Sequence, residues 1–166
     1  MLSFLSIRNI VLIEKIDIDF EQGLCVLTGE TGAGKSIILD SLGLVLGNRA
    51  NYSLRPKNQF ETKVTAVFSN IQDLEIKKIL RENGIDLKDE IILKRSLTSD
   101  GKSKSFINDN LVSLSTLKNI GDKLVEVESQ FSEQGLLNTS SHIKVLDEFG
   151  NYNNLIIDLN KSWDVL

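Results

Sequence analysis

The sequence predicts an α/β fold, and three patterns along the chain support this prediction. Within the strand predicted at residues 11–20, Ile16, Ile18 and Phe20 alternate with Asp17 and Asp19, which is the period of a half-buried strand. Residues 24–28 form a continuous apolar run, typical of a strand that is buried on both faces, and a glycine-rich loop follows it. Apolar residues then recur at helical spacing from Ile38 to Leu46, and Gly47 stands where a C-cap glycine is expected.

Further strands and helices are predicted along the rest of the chain. Turn residues and apolar periodicity predict strands at 2–8, 62–69, 90–98, 102–108 and 124–128, and helices at 73–83, 113–121 and 140–149. The pair Asp100 and Gly101 predicts a hairpin turn between the strands at 90–98 and 102–108.

Composition limits the classes of function. The 166 residues are 41% hydrophobic and 25% charged, as in a globular domain. The net charge of −4 means that any contact with nucleic acid must come from a local patch. The chain has one cysteine, Cys25, and one histidine, His142, which excludes a zinc cluster of Cys and His ligands. We expect Cys25 to be buried in its strand. Without a membrane-length apolar run or a signal-peptide pattern, we expect a cytoplasmic protein with no membrane partner.

A phosphate-binding pattern, Gly-x-x-x-x-Gly-Lys-Ser, occupies residues 29–36. The glycines let the backbone wrap a phosphate, and the helix that follows adds its positive end. Lys35 can reach the β- and γ-phosphates, and the Ser36 hydroxyl can ligand Mg²⁺. The sequence therefore predicts a site for ATP and Mg²⁺ formed by Gly29, Glu30, Thr31, Gly32, Ala33, Gly34, Lys35 and Ser36.

Hydrolysis of ATP needs an acidic residue on a second strand, and the sequence offers no convincing one. The segment 145–148, Val-Leu-Asp-Glu, has a suitable composition. However, Ile143, Leu146 and Phe149 would share one face of a helix there. We therefore assign no catalytic residue, and whether this chain is an enzyme by itself stays open.

The last segment carries apolar residues at alternating spacings of three and four, from Phe149 to Leu166. This is the spacing of a heptad repeat. The start of a coiled coil and an ordinary amphipathic helix explain such a short stretch equally well.

The loop and its surroundings resemble the RecN family of bacterial DNA repair proteins, which are relatives of the SMC proteins among the ABC-type ATPases. The resemblance extends over essentially the whole chain, and it is clearest at residues 29–36, 39–43, 47–50, 95–108 and 146–150. It implies a P-loop NTPase fold of the ABC/SMC head type with a mixed sheet. The N-terminal lobe would comprise residues 1–148, and residues 149–166 would begin a coiled-coil arm.

The resemblance also implies partners and further site residues. The C-terminal lobe of the same ATPase would supply the Walker B and signature motifs, and two heads would form a homodimer. DNA would be the partner, in recombinational repair of double-strand breaks at the nucleoid. Gln130 matches the glutamine that ligands Mg²⁺, although its neighbours Glu128, Ser129 and Phe131 depart from the family pattern. Arg49 matches an arginine that lies near the nucleotide or DNA.

Four cations around the predicted hairpin are candidates for DNA contact: Lys94, Arg95, Lys102 and Lys104. Phosphate contact and a solvated hairpin edge explain them equally well. Two alternative functions also stay open. In the first, the chain is a non-catalytic or degenerate fragment of such an ATPase. In the second, it is a small P-loop kinase, but the sequence lacks the arginine-rich lid expected of such a kinase.

Overall fold

A computed structural model describes residues 1–11, 13–29, 34–50, 61–86, 89–98, 100–126, 142–143, 146–147, 149–150 and 152–163. The chain divides into two compact units, Met1–Glu126 and Val127–Leu166. In its described part, the first unit contains one sheet and three helices. The described part of the second unit contains one helix with defined bounds.

The sheet has six strands, which follow the order β2-β1-β3-β4-β5-β6. Their bounds are β1 Leu2–Ile10, β2 Ile13–Asp19, β3 Thr62–Ser69, β4 Glu90–Leu97, β5 Ser103–Ile107 and β6 Asn110–Val112. The helices are α1 Lys35–Val45, α2 Leu74–Glu82, α3 Leu114–Leu124 and α4 Asn153–Trp163. Every pairing between described strands is antiparallel.

The core of the first unit lies on one face of this sheet, which we call the inner face. Alternate residues of each strand point there, so that Ile7, Val64 and Leu93 are buried. The same core contains residues from all three helices: Leu44 and Val45 of α1, Ile76 and Leu80 of α2, and Leu117 and Ile120 of α3. The residues between them point to the opposite, outer face, where most are partly or fully exposed.

A glycine in the left-handed conformation lies at each end of α1. Gly34 precedes the helix in the left-handed conformation, with φ 88°. At the other end, Gly47 has φ 98° and its N–H donates to Leu44 O at 3.2 Å, while the N–H of Asn48 donates to Gly43 O at 2.9 Å. These two bonds form a Schellman motif, which confirms Gly47 as the glycine that ends the helix.

Most of the predicted elements are confirmed within three residues at their ends, including the strands on both sides of the hairpin. The predicted strand at 24–28 is wrong. Leu24 is 94% exposed and Val26 67% exposed, and no residue of this segment is in a strand. Cys25 is also exposed and not buried as expected. A buried strand needs neighbours for its backbone and side chains, and no described strand pairs with this segment.

Two further differences lie near the end of the first unit. The predicted strand at 124–128 is wrong in its described part, because Leu124 is the last residue of α3 and residues 125–126 are not in a strand. Residues 127–128 lie outside the described residues. β6 was not predicted from the sequence, because its three residues are too few to show a period.

In the second unit, residues 142–143, 146–147 and 149 are helical, in agreement with the helix predicted at 140–149. The helical state of residues 146–147 also argues against a metal-holding strand at 145–148. In the described part of the chain, no helix has the length and apolar character needed to cross a membrane.

Candidate phosphate-binding site

The described ends of the glycine-rich loop are Gly29 on one side and Gly34–Ser36 on the other. Gly34 has φ 88° and ψ −1°, a conformation that L residues with a side chain rarely adopt. A Cβ atom there would meet only Ile13 Cδ1, at 4.0 Å. The backbone conformation, and not lack of space, is therefore the reason for a glycine at this position.

The N-terminal end of α1 differs from the corresponding ends of α2 and α3. Asp73 caps α2 by accepting from the N–H of Glu75 at 2.7 Å, and Ser113 caps α3 by accepting from the N–H of Thr116 at 3.0 Å. In contrast, α1 has no side-chain cap and no acidic residue in its first turn. Its positive end is not neutralised by these means, so it suits an anionic ligand.

Lys35 joins the two ends of the loop, because its ammonium group donates a hydrogen bond to the carbonyl oxygen of Gly29. Ser36 lies in the first turn of α1 and is exposed. Its hydroxyl is therefore accessible at the same end of the helix as the Lys35 side chain. The donor set, an ammonium, a hydroxyl and a helix N-terminus, fits a polyphosphate with Mg²⁺.

Arg95 holds the opposite end of α1 against the sheet. Its side chain is on the inner face, and the residue is only 2% exposed. Its Nη1 donates to Asn48 O at 2.7 Å and to Leu44 O at 3.1 Å. Burial lowers the pKa of the Arg95 guanidinium. A cation at the C-terminal end of a helix also interacts favourably with the helix dipole.

The assignment of Arg95 as a DNA contact is therefore wrong, because a side chain buried under α1 cannot reach a phosphate outside the molecule. Arg95 instead positions α1, a role that was not predicted from the sequence. A signal was present in the alternation of β4, where Arg95 stands between Leu93 and Leu97 on the face that carries apolar residues. Arginine is rarely fully buried, so an exposed side chain was expected at this position.

The packing of α1 on α3 is unusually close at the same end. A Cβ atom on Gly47 would lie 2.6 Å from the Cα of Lys118, and one on Gly121 would lie 2.3 Å from the carbonyl oxygen of Leu46. The Lys118 ammonium also donates to Asn48 Oδ1 at 2.9 Å. These contacts, together with Arg95, fix the C-terminal end of α1 relative to the rest of the first unit.

The remaining candidate residues have different environments. Lys94 forms an ion pair with Asp109 at 2.6 Å and Lys102 one with Asp100 at 3.1 Å, whereas Lys104 is exposed. Arg49 is exposed beyond the C-terminal end of α1, so that about 16 Å of helix separates it from the loop. Five of the predicted site residues lie outside the described residues: Glu30, Thr31, Gly32, Ala33 and Gln130.

Comparison with known sequences gives one family and a set of relatives. The AAA domain family matches residues 5–162. The DNA repair protein RecN of Vibrio cholerae is 38% identical over 156 residues, which are 94% of this chain and 28% of that protein. RecN of Bacillus subtilis is 37% identical over 150 residues, 90% of this chain and 26% of that protein. The chain thus spans between a quarter and a third of the length of these relatives, and the resemblance to RecN is confirmed.

Solved structures show the same fold. An SMC ATPase studied for ATP-driven dimerization and DNA-stimulated activation has a TM-score of 0.59 at 20% identity, over 95% of this chain and 97% of that one. The SMC head domain from Thermotoga maritima has a TM-score of 0.53 at 21% identity, over 71% of this chain and 41% of that one. At such identities the likeness concerns the fold alone, and it confirms the expected α/β fold of the P-loop NTPase and SMC head type.

Proposed function

The chain belongs to the AAA domain family, and from this premise we propose that it is the ATP-binding N-terminal part of a RecN-like ATPase in recombinational repair of DNA double-strand breaks. The observation that carries the proposal is the N-terminal end of α1. There an uncapped helix end, the Lys35 ammonium and the Ser36 hydroxyl occur together at the end of a Gly-x-x-x-x-Gly-Lys-Ser loop. The RecN relatives support the assignment to DNA repair.

Each residue of the loop has a specific role in this proposal. The backbone N–H groups of residues 32–36 and the positive end of α1 bind the phosphates of ATP. Lys35 exchanges the carbonyl oxygen of Gly29 for oxygens of the β- and γ-phosphates. Ser36 would hold Mg²⁺ through its hydroxyl, and Gln130 would provide a second ligand. Bound Mg²⁺ would neutralise part of the phosphate charge.

Exposed apolar residues support the need for a second lobe. The segment that leads into the loop exposes Leu24, Val26 and Leu27, although its composition suits a buried strand. We propose that the C-terminal lobe of the same ATPase covers this segment, with residues 1–148 as the N-terminal lobe. The arm would begin at residues 149–166, where α4 exposes Leu155, Leu159 and Trp163.

In this proposal, ATP binding and ATP hydrolysis need different parts of the ATPase. This chain would bind ATP, while the residue that completes the Mg²⁺ site and the signature motif would come from the C-terminal lobe and from a second head in a homodimer. We therefore expect the 166-residue chain by itself to bind ATP with Mg²⁺ and to hydrolyse it negligibly. In the cell it would act in the cytoplasm, on DNA.

Titration calorimetry with ATP and Mg²⁺ tests the proposal. Lys35→Ala should weaken ATP binding roughly 10- to 100-fold, because charge-assisted hydrogen bonds to phosphate contribute about 1.5–3 kcal/mol. Lys78→Ala, on the exposed side of α2, is the matched control and should bind as the original chain does. Equal affinity of the Lys35→Ala variant would contradict the site. Robust hydrolysis by the unmodified chain, abolished by Lys35→Ala, would contradict the need for a second lobe.

A further inference from the structure

The two edge strands of the sheet differ in how they are protected against pairing. β2 and β6 are the edge strands among the described strands. An edge strand presents unpaired backbone N–H and C=O groups, and charged side chains on it discourage pairing with another chain. β2 has charged residues at four of its seven positions, whereas β6 has none. Leu111, the central residue of β6, is instead 69% exposed.

The hairpin turn fixes the direction of the Leu111 backbone. Residues 108–109 form the two-residue turn between β5 and β6, and both have a positive φ, of 47° and 65°. Such a turn is closed by two residues that exchange both backbone hydrogen bonds, here Ile107 and Asn110. Hydrogen-bonded and non-hydrogen-bonded pairs alternate along an antiparallel ladder, so the next pair, Phe106 with Leu111, exchanges none. The N–H and C=O groups of Leu111 therefore point away from β5, towards the free edge.

An apolar pair of side chains lies beside these backbone groups. Ile107 is buried in the core on the inner face, so its neighbour Phe106 points to the outer face, and so does Leu111, with which Phe106 is paired. Phe106 is partly buried, whereas Leu111 has no described strand beyond it. An apolar side chain on a strand added next to β6 would cover Leu111 and remove its surface from water.

The charge beside this apolar pair is positive and uncompensated. Lys104 lies two residues before Phe106 in β5, so it shares the outer face with Phe106, and it is exposed. Lys104 forms no ion pair with any residue that the structure describes, whereas Lys94 and Lys102 both have carboxylate partners. A strand added to β6 would lie about 10 Å from β5, at the usual separation of about 4.8 Å between neighbouring strands. A lysine and an acidic side chain together span such a gap.

We propose that the edge of β6 binds an extended acidic segment of another protein, which adds to the sheet as a further strand. The segment exchanges backbone hydrogen bonds with the N–H and C=O groups of Leu111. One of its apolar side chains covers Leu111 and Phe106, and one of its carboxylates meets Lys104. The edge contains none of the residues of the phosphate-binding loop, so this proposal does not rest on the proposed function.

A second copy of this chain suits the edge less well than such a segment. A stable interface between two proteins buries about 800 Å² on each partner, and an edge strand of three residues offers far less. A linear segment needs no such area, because backbone hydrogen bonds and one or two side-chain contacts define its position. The positive charge of Lys104 then favours an acidic segment over a neutral or basic one.

The test uses two matched pairs of variants of the 166-residue chain. Leu111→Pro removes the N–H that points to the free edge and keeps the bonds to β5, and an edge strand tolerates proline. Leu111→Ala is its control, because alanine also shortens the side chain but keeps the N–H. Lys104→Gln removes the cation, and Lys78→Gln is an equal change in charge on the exposed side of α2. Because all three positions are exposed, the thermal unfolding midpoints should stay nearly unchanged.

Nuclear magnetic resonance of the isotope-labelled chain, titrated with a synthetic peptide in which aspartate and valine alternate, gives the result. The peptide should shift the amide signals of β5 and β6, slow the hydrogen exchange of the Leu111 N–H, and leave β2 unchanged. Leu111→Pro should bind the peptide roughly three- to tenfold more weakly than Leu111→Ala, the effect of one hydrogen bond. Lys104→Gln should weaken binding by up to about fivefold at low salt and less at high salt, whereas Lys78→Gln should not.

Several results would overturn the proposal. They are the absence of peptide binding by the unmodified chain, an unchanged hydrogen exchange of Leu111 when the peptide binds, and equal affinities of Leu111→Pro and Leu111→Ala. Equal affinity for a peptide in which lysine replaces aspartate would contradict the acidic character of the segment. Sedimentation velocity tests the second copy. If the chain forms a dimer that Leu111→Pro abolishes, and does not bind the peptide, the edge is an interface between copies and the proposal is wrong.

Discussion

At the residue scale, Lys94 and Arg95 show how a strand gives neighbouring residues opposite environments. Both are cations of β4, and the sequence offered the same role for both. Lys94 points to the outer face and pairs with Asp109, whereas Arg95 points into the core and donates to two carbonyl oxygens at the C-terminal end of α1. Its Nε atom has no hydrogen-bond partner among the described residues. A buried polar atom without a partner lowers the stability of the fold. The two hydrogen bonds that Arg95 donates to the end of α1 offset this loss.

Arg95→Met tests this positioning role, because methionine keeps part of the volume but cannot donate. The carbonyl oxygens of Leu44 and Asn48 would lose their buried donor, and we expect the free energy of unfolding to fall by about 2–4 kcal/mol. Lys94→Met on the adjacent outward position should cost less than about 1 kcal/mol, since its ion pair is partly exposed. Urea denaturation of both variants provides the comparison. Equal losses would argue that Arg95 contributes no more than a surface cation does.

At the element scale, α1 is the helix that connects the candidate site with the core. Its N-terminal end lacks a side-chain cap, whereas its C-terminal end is held by the Schellman motif, by Arg95 and by the close contact with α3. Stability is thus concentrated at the end away from the loop. This arrangement leaves the loop end of the helix available for a ligand, while the helix axis keeps its position.

Gly47→Ala tests how closely α1 approaches α3. The substitution requires a left-handed conformation for alanine and places its Cβ 2.6 Å from the Cα of Lys118, so we expect a loss of more than about 2 kcal/mol in the free energy of unfolding. Gly84→Ala is the control, because Gly84 also has a positive φ of 67° but a Cβ there would meet nothing within 4 Å. Its cost should be about 1 kcal/mol, from the backbone alone. Similar thermal shifts for the two variants would contradict the close contact.

At the scale of the whole molecule, the described part of the first unit has its core on one face of the sheet and cations on the other. Residues 24–27, which precede the loop, are not part of this core, because Leu24, Val26 and Leu27 are exposed. Exposed apolar surface of this kind can mark an interaction site. The proposed C-terminal lobe would use it.

Leu24→Ser combined with Val26→Ser distinguishes an exposed segment from a buried strand. Because the two residues are 94% and 67% exposed, we expect the free energy of unfolding of this chain to change by less than about 0.5 kcal/mol for each substitution. Leu5→Ser is the control for burial, since Leu5 is 1% exposed and its loss should cost several kcal/mol, about 2–5. Guanidinium denaturation measures all three changes. A large loss for the double variant would restore the buried strand that the sequence predicted.

Features that depend on neighbouring residues could be predicted from the sequence. Alternation predicted β1–β5, turn chemistry predicted the hairpin at Asp100, and the position of Gly47 predicted the end of α1. The phosphate-binding pattern at 29–36 is also local, because it needs only glycines, a lysine and a hydroxyl ahead of a helix. The predictions of the strands, the hairpin turn and the end of α1 succeed because the period of a strand or helix and the conformation of a glycine are properties of a few consecutive residues.

Contacts between distant segments could be found only in the folded protein, because the fold sets which strands and helices meet. The fold buried Arg95 under α1, left Leu24 without a neighbouring strand, and aligned Lys15, Arg8, Lys63 and Lys104 across the sheet. The physical reason is register. Which residues stand opposite each other depends on how the strands pair, and a slip of one residue would move every side chain to the other face. No local pattern in this chain shows which strands pair or in which register.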